Sequence, residues 1–478
     1  MPSTLRSIAD LPGPPPLPLI GNLHQVDTAR IHRSLEAWSE RYGAFFRFRL
    51  GRRQIVCVAD PAAIGAMLRD RPNGFRRTKL LEAVFRELGI AGVFAANGDA
   101  WRAQRKMVMA AFGTSHLKRY FPFLARVTER FHRRWSDHAN RGTEFDLQAD
   151  LMRFTVDVVA GLAFGVDINS IESAEVTLQT HLNHIFPMLN RRLTAPMPYW
   201  RWIKFPADRA LERHLDVVRR SVAEFITAAR GRLESRPALR EAPENLIEAM
   251  LAASESGGCL TEADVASNVV TMLLAGEDTT ANTLAWLFYL VSLHPPVMQN
   301  LAGEAAAVLG AGHFPERFAQ ASALAVTAAT AHETMRLKPV APILLVQAVE
   351  ARTIGDIAIP ADTVVAALLR RGSMDQRHFA NPQAFEPQRW LAAPGSAAST
   401  AAARISMPFG AGPRICPGRN LALIEICMVT SMLFRNFEIQ SLRTEHGGPP
   451  EERLAFTMSP SRLWVRLVHR PDAGIAAA

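Results

Sequence analysis

The feature that most constrains the fold is an apolar pattern of helical period that runs unbroken from Thr261 to Leu293. Thr261 and Asp264 form a capping-box pattern at its start, and a His-Pro-Pro run ends it. At a rise of 1.5 Å per residue, this helix would be roughly 48 Å long. Because it is apolar on nearly every side, we expect it to lie buried through the centre of the molecule.

A polar hexapeptide, Ala275-Gly276-Glu277-Asp278-Thr279-Thr280, lies in the middle of this helix. Glycine inside a helix costs about 0.5–1 kcal/mol relative to alanine, and acids and hydroxyls are costly in a buried position. A threonine hydroxyl can bond to the carbonyl one turn back and open a groove for a small ligand. Such a local exception in a consistent helix indicates a functional site; the alternative is a helix bent by structural threonines.

A second feature is the loop Pro408–Asn420, which holds Cys416 among three glycines and three prolines. Glycine allows backbone angles and close approaches that other residues do not, so the loop can lie against a flat ligand. A proline suits the first turn of a helix, and an apolar helical pattern follows to Leu433. Cys416 is therefore expected at or just before a helix N-terminus, where the dipole and free N–H groups favour a thiolate.

A thiolate in such a loop, with Arg414 two residues away, is what a haem iron with a cysteine axial ligand needs. The alternative is a buried structural cysteine beside a Gly/Pro turn. The loop resembles the haem-binding signature of the cytochrome P450 family, Phe-x-x-Gly-x-Arg-x-Cys-x-Gly, whose fixed positions are Phe409, Gly412, Arg414, Cys416 and Gly418. The resemblance implies that Cys416 is the iron ligand and that neighbouring loop residues bind the haem: Phe409, Gly410, Arg414 and Gly418.

The hexapeptide is similar to the family's Ala-Gly-x-Asp-Thr-Thr, in which the acid and the alcohol deliver protons for dioxygen activation. The resemblance implies that Thr279 hydrogen-bonds the oxygen and that Asp278 relays protons from solvent. For Glu277 we expect an ion pair with a surface arginine.

Trp101 and Arg105 lie four residues apart, on one face of a helix expected to begin after Asp99 as N-cap. An indole N–H beside a guanidinium can bind a carboxylate, although the pattern alone fits an amphipathic surface helix better. In the family, a Trp-x-x-x-Arg at this place holds a haem propionate. Many members have a further arginine where this chain has Leu-Val-Gln at 345–347. Propionate binding is therefore expected to rest on Trp101, Arg105 and Arg414.

Glu333 and Arg336 share a helix face and can form an ion pair. Glu-x-x-Arg is common and recurs at Glu386 and Arg389, but a proline and an apolar extended run at 342–346 follow the first copy. The first copy and Arg389 together resemble the family's structural triad of Glu333, Arg336 and Arg389. Because buried charges must be paired, removing one member is expected to cost about 3–5 kcal/mol.

Placement by family order suggests positions around the substrate, each of which could equally be plain core. They are Phe85, Val93, Phe94, Phe186, Leu273, Leu274, Ala275, Ile343, Leu344, Phe456, Thr457 and Met458. Since these residues are mostly apolar, we expect a lipophilic small-molecule substrate.

Composition narrows the class of protein. The 478 residues are 48% hydrophobic and 21% charged, which is typical of a globular protein. No segment is long and apolar enough to cross a bilayer, and the N-terminus lacks the order of a secretory signal. Four widely spaced cysteines without a CxxC pair argue against a disulfide scaffold or zinc site and for a reducing compartment. We therefore expect a cytoplasmic protein without a membrane anchor.

The net charge of +9 has two explanations. Nucleic-acid binding is disfavoured, because the basic residues are dispersed and no binding module is recognisable. A positive docking face for an acidic redox protein fits the motifs better. The candidate residues are Arg102, Lys106, Arg404 and Arg419.

Other segments give local predictions. Phe45–Leu50 and Gln54–Val58 are predicted to form a hairpin. The aromatic segment Thr194–Pro206 would cover a substrate entrance, touch a membrane surface or pack on its own protein. Residues 236–245 are predicted as a linker and 392–403 as a flexible surface segment.

The resemblance extends over residues 11–420 and implies a mainly α protein with a small β portion. The haem would lie between the long central helix and the cysteine loop. A stiff proline-rich lead-in at 1–30 would precede a single catalytic domain at 31–478. The implied enzyme is a soluble, bacterial-type, monomeric monooxygenase that hydroxylates or epoxidises its substrate with haem b, O2 and electrons from NAD(P)H through a ferredoxin- or flavodoxin-type partner. Alternatives are a haem-thiolate peroxygenase or isomerase, a haem-based sensor, and a helical scaffold without haem.

Overall fold

The computed structural model describes residues 5–173, 178–195, 197–255, 261–391 and 397–471. The fold is mainly helical with a small β portion, as predicted. The α-helices in the described ranges are α1 (Ile31–Tyr42), α2 (Pro61–Arg69), α3 (Lys79–Glu87), α4 (Gly98–Ala111), α5 (Thr114–Arg141), α6 (Leu147–Phe164), α7 (Leu178–Leu182), α8 (Ile185–Thr194), α9 (Pro206–Ser235), α10 (Leu246–Glu255), α11 (Glu262–Ser292), α12 (Pro295–Leu309), α13 (Phe318–Ala323), α14 (Ala325–Leu337), α15 (Ala397–Ile405) and α16 (Arg419–Asn436).

The strands are short and form separate small sheets. Their bounds are β1 (Phe45–Leu50), β2 (Arg53–Val58), β3 (Phe75–Arg76), β4 (Phe145–Asp146), β5 (Ile343–Ala348), β6 (Arg352–Ile354), β7 (Ile357–Ile359), β8 (Val364–Leu368), β9 (Phe437–Thr444), β10 (Glu452–Ala455), β11 (Thr457–Pro460) and β12 (Leu463–His469). The largest sheet has the order β1-β2-β8-β5-β3, in which only β2 and β8 are parallel. The predicted hairpin is confirmed as β1–β2.

The central helix is confirmed as α11, and its capping box is present. Thr261 Oγ1 accepts the N–H of Asp264, and the N–H of Thr261 donates to Asp264 Oδ2 at 2.9 Å. The helix packs along α6, and a Cβ on Gly276 would lie 2.3 Å from Cγ2 of Val159. Glycine is therefore required there for close helix packing, a reason distinct from chemistry at the hexapeptide.

Two local predictions need correction. Helix α4 begins at Gly98, so Asp99 lies in its first turn, where it pairs with Arg102, and is not the N-cap. The predicted flexible segment 392–403 is helical from Ala397 onward, while residues 392–396 lie outside the described residues.

The aromatic segment 194–206 divides into an inward and an outward part. The buried Trp200 donates its indole N–H to Glu87 Oε2 at 2.8 Å, which ties the segment to α3. Trp202, Ile203 and Phe205 are exposed. Among the described helices, none has the length and apolar character needed to span a bilayer.

Candidate active site

Cys416 lies just ahead of α16, as the loop pattern predicted. Its own N–H donates to the carbonyl of Phe409 at 2.9 Å, and Gly418 is the N-cap of the helix. Burial raises the pKa of the Cys416 thiol, while the backbone N–H groups of Gly418 and Arg419 and the nearby Arg105 lower it. These donors converge on the sulfur and favour a thiolate once a metal takes the proton's place.

The glycines of the loop meet separate steric needs. Gly412 has φ +70°, and a Cβ there would lie 2.4 Å from the carbonyl oxygen of Leu68, so the loop packs directly on α2. Gly410 has φ +73°, and among the described residues, its two chain neighbours aside, no other residue has an atom within 4 Å of the position that a Cβ would occupy. The loop thus presents bare backbone to an open space, which suits a flat ligand.

A group of arginines, some half-buried and some buried, borders the same loop. The guanidinium of Arg414 lies 4.5 Å from the centre of the Trp101 ring and donates to the carbonyl of Ala96 at 2.6 Å. Arg105 donates to the carbonyl of Ile415. Burial and the neighbouring arginines, Arg71 foremost, lower the pKa of Arg414 to about 9. Positive charge is therefore concentrated where the sequence predicted propionate binding.

Two further arginines of this group, Arg71 and Arg77, were not predicted. Arg71 is buried, and its Nε and Nη2 have no hydrogen-bond acceptor within the described part of the chain. Burial lowers its pKa to about 10. Arg77 lies 3.9 Å from the centre of the Phe94 ring, and burial together with Arg71 and Arg414 lowers its pKa well below the usual value. The only sequence signal was an arginine-rich stretch ahead of α3.

These side chains fit a ligand with two carboxylates. Glu82 raises the pKa of Arg414, but it already accepts hydrogen bonds from Arg76, Arg86 and Asn97. Buried guanidinium groups without an anionic partner are costly, and the cost is removed when an anion binds. Haem carries two propionates, so the residues present match that cofactor in charge and in position beside Cys416.

The hexapeptide in α11 borders an open space. Ala275 is exposed although Leu274 and Glu277, on either side of it along the helix, are buried. Thr279 Oγ1 donates to the carbonyl of Ala275 at 2.8 Å, which is the one-turn-back bond that the sequence suggested. A small ligand at this point would meet the Thr279 hydroxyl.

Asp278 is held by hydrogen bonds on both carboxyl oxygens. Asn282 Nδ2 donates to Oδ1 at 2.8 Å, and the Thr457 hydroxyl donates to Oδ2. Burial raises the pKa of Asp278, and these two donors lower it. Burial thus makes the protonated carboxyl more favourable than it is in water, which suits a group that passes on a proton.

The prediction for Glu277 is wrong. The side chain is only 1% exposed, and its Oε1 has no hydrogen-bond partner among the described residues, so it does not pair with a surface arginine. Burial and the charge of Asp278 raise its pKa well above the usual value. A second buried acid, Glu425 on α16, was not predicted; it accepts a hydrogen bond from Thr280, and burial raises its pKa to about 8. Burial therefore favours the neutral form of both acids.

Several predicted substrate positions meet in one aromatic cluster. The ring of Phe456 stacks on Phe186 with centroids 5.1 Å apart and lies 5.8 Å from both Phe85 and Phe94. Four positions from four parts of the chain thus form one apolar wall.

The other predicted positions are placed differently. Val93 donates its backbone N–H to Asn268 Oδ1 at 2.8 Å, and Leu273 and Leu274 are buried in the main core. Leu344 packs with a core cluster beneath the large sheet, and Ile343 with another on its opposite face. The sulfur of Met458 faces Arg370 at 3.9 Å.

The predicted triad is brought together in the interior. Arg336 donates to both carboxyl oxygens of Glu333 at 2.8 Å and also to the carbonyls of Ser373 and Pro382. Arg389 lies 3.3 Å from Glu333, and Trp390 donates its indole N–H to the same carboxylate. This fully satisfied network joins α14 to the segment ahead of the cysteine loop.

Comparisons with known proteins agree with this geometry. Residues 11–466 match the family Cytochrome P450. The chain belongs to the cytochrome P450 family. It is therefore an enzyme of the cytochrome P450 monooxygenase class, which uses haem and O2.

Similar proteins come from several kingdoms. They include the mitochondrial 25-hydroxyvitamin D-1 alpha hydroxylase of Rattus norvegicus (28% identical, over 91% of this chain and 89% of that protein) and the cytochrome P450 monooxygenase pvhE of Talaromyces variabilis (27%, over 95% and 89%). The chloroplastic protein LUTEIN DEFICIENT 5 of Arabidopsis thaliana is 24% identical over 86% of this chain and 69% of that protein. The crystal structure of the cytochrome P450DA heme domain shares the fold, with a TM-score of 0.83, 22% identity and coverage of 97% of this chain and 99% of that one. The expected bacterial-type subclass finds no support among these relatives, which are plant, animal and fungal proteins.

Proposed function

We propose that this cytochrome P450 inserts one atom of O2 into a lipophilic small molecule, by hydroxylation or epoxidation, with two electrons from an external redox partner. For a hydroxylation, the balance is one substrate C–H bond, O2, two electrons and two protons, which give the alcohol and water. Bound haem would supply the iron at which O2 is activated. The protein positions the substrate, excludes water and supplies protons.

The residues that would hold the haem follow from the site. Cys416 would ligate the iron through its sulfur, with the N–H groups of Gly418 and Arg419 stabilising the negative charge. Arg414 and Arg105, with Trp101, would bind the propionates, as predicted. We add Arg71 to this set, because it has donors without an acceptor among the described residues and lies close enough to Arg414 for its charge to lower the pKa of that residue.

The observation that carries the monooxygenase proposal is the pair formed by Asp278 and Thr279 on α11. Thr279 offers a hydroxyl beside an open space, and Asp278 has a pKa that burial raises. An acid poised in this way can repeatedly take up a proton from water and pass it toward the hydroxyl. A peroxygenase or isomerase has no need of such a relay.

The aromatic cluster supports a lipophilic substrate. Phe85, Phe94, Phe186 and Phe456 together offer apolar area and ring faces, and one face of Phe94 is covered by the Arg77 guanidinium. Burial of apolar substrate surface there would provide most of the binding free energy.

An acidic redox partner, such as a ferredoxin or flavodoxin, is proposed for the face near Cys416. Arg419, next to the cysteine loop, is exposed, and Arg102 lies on α4 with Arg105. We propose that NAD(P)H is the electron source and that the protein is a soluble, cytoplasmic monomer with a single catalytic domain. Fractionation of the native host and size-exclusion chromatography test the last points, since some relatives are mitochondrial or chloroplastic.

The function is tested by reconstitution with a surrogate ferredoxin, ferredoxin reductase and NADPH. Spectral titration of lipophilic compounds, which reports the change of iron spin state, selects candidate substrates. We expect one of these compounds to gain a single atom of ¹⁸O from ¹⁸O2. Equal turnover with H2O2 alone, unaffected by Thr279→Ala, would favour a peroxygenase instead.

A further inference from the structure

The β10–β11 hairpin places two adjacent residues in different surroundings. Its tip is a single residue, Phe456, followed at once by Thr457 in β11. Phe456 has φ 82°, a conformation that a residue with a side chain keeps only where its surroundings hold it. Packing of the Phe456 ring among Phe85, Phe94 and Phe186 keeps the backbone in this conformation.

Thr457 points the other way, toward the central helix. Its hydroxyl donates to Asp278 Oδ2, while Asn282 donates to Oδ1. Asn282 is buried one turn along the same helix, so its position does not depend on the hairpin tip. Thr457 belongs to a hairpin tip that depends on ring contacts, so its hydrogen bond is the one that can open.

The base of the hairpin is fixed. The buried carboxylate of Glu452 in β10 accepts hydrogen bonds from His32 at 2.8 Å, Lys338 at 2.6 Å and Arg370 at 2.9 Å. In β11, the N–H of Met458 donates to the carbonyl of Val340 at 2.8 Å. Movement of the hairpin is therefore confined to its tip.

We propose that Thr457 is a positioning residue that holds Asp278 in a resting orientation until substrate displaces the ring of Phe456. This inference rests on the proposed function, because it adds a control step to the proton donor proposed there. An apolar substrate in the aromatic cluster competes with Phe456 for contacts with the other three rings. Once these contacts are lost, the tip relaxes from φ 82° and the Thr457 hydroxyl leaves Asp278.

The consequence is that proton delivery follows substrate binding. With both oxygens engaged, the Asp278 carboxyl is fixed. With Oδ2 released and Oδ1 still bonded to Asn282, Oδ2 is open to exchange a proton with water and with the Thr279 side. An empty pocket therefore keeps the relay inactive and limits wasteful oxidation of NADPH.

The test uses four variants of the haem-loaded protein without substrate. Thr457→Val keeps the shape of the side chain and removes its hydroxyl, Thr457→Ser keeps the hydroxyl, and Phe456→Ala removes the ring. Thr353→Val is a matched control at an exposed position of β6. Infrared difference spectra against Asp278→Asn isolate the Asp278 carboxyl band without any turnover. The rate of NADPH oxidation with the surrogate partners, in the absence of substrate, reports how active the relay is when the pocket is empty.

We expect Thr457→Val and Phe456→Ala to shift the Asp278 band in the same direction. Both should raise substrate-free NADPH oxidation about five- to tenfold, the factor that the loss of one ordinary hydrogen bond corresponds to. Thr457→Ser and Thr353→Val should match the wild type.

A wild-type band in Phe456→Ala would overturn the link between the ring and the acid, and a wild-type band in Thr457→Val would overturn the hydrogen bond itself. If Phe456→Ala does not fold, Phe186→Ala removes the stacked partner from another element and is read in the same way. A wild type that forms no product with any partner contradicts the proposed function instead, and the infrared result still decides this inference.

Discussion

Replacing Arg71 with methionine removes a buried guanidinium while it keeps most of the volume of the aliphatic stem. In the structure, Arg71 has two donor nitrogens without an acceptor among the described residues, and burial lowers its pKa to about 10. A pKa lowered to this extent corresponds to about 3 kcal/mol of unfavourable burial of the charged Arg71 in the haem-free protein. With haem bound, the same guanidinium would instead form a charge-assisted bond to a propionate, worth about 1.5–3 kcal/mol.

Arg71→Met is therefore expected to have opposite effects in the two states. The free energy of unfolding of the haem-free protein should rise by up to about 3 kcal/mol, measured by urea denaturation. Haem loss from the loaded protein should become about 10- to 100-fold faster, measured by transfer of haem to an excess of apomyoglobin.

The matched control is Arg69→Met, which removes an exposed arginine two residues away. It should change the free energy of unfolding by less than about 0.5 kcal/mol and leave haem loss unchanged. If Arg71→Met loses haem at the wild-type rate, the assignment of the arginine group to the propionates is wrong.

Three further predictions concern other parts of the molecule. Glu333→Gln leaves Arg336 buried without its charge partner, so the free energy of unfolding in urea should fall by about 3–5 kcal/mol, whereas the exposed Glu350→Gln should change little. Burial lowers the pKa of His132 to about 4, so the unfolded chain binds more protons than the folded chain between pH 6.5 and 4. The free energy of unfolding should therefore fall as pH falls through that window, by at most about 3 kcal/mol. His132→Gln should flatten this part of the pH–stability curve, and an unchanged curve would refute the assignment to His132. Thr279→Ala should divert NADPH-derived electrons to H2O2, while the substrate-induced spin-state change persists. Thr279→Ser should restore the coupling of NADPH oxidation to product formation. Equal coupling in the wild type and both variants would remove Thr279 from the relay.

Patterns local in sequence gave the most reliable predictions. The cap, the apolar period and the stop signal of α11 are all within one segment, and the helix was found within one residue of the predicted ends. The cysteine loop was likewise placed correctly before α16, because glycine and proline act on the backbone directly.

Predictions that depended on distant partners were incomplete. Asp278 and Thr457 are 179 residues apart, and nothing in either local pattern indicates that they form a hydrogen bond. Arg71 and Arg77 read as ordinary surface charges, because a sequence shows that an arginine is present and not that its neighbours are also arginines. Glu277 was assigned a surface partner for the same reason: in a helix that is apolar on nearly every side, period alone does not tell which face an acid occupies.

The bond between Cys416 sulfur and haem iron is the central claim, and the spectrum of the reduced protein under carbon monoxide tests it most directly. We expect the Soret band characteristic of cysteinate ligation in the wild type, and its disappearance in Cys416→Ala. A purified wild-type protein that binds no haem, or a variant that keeps the same band, would contradict the account.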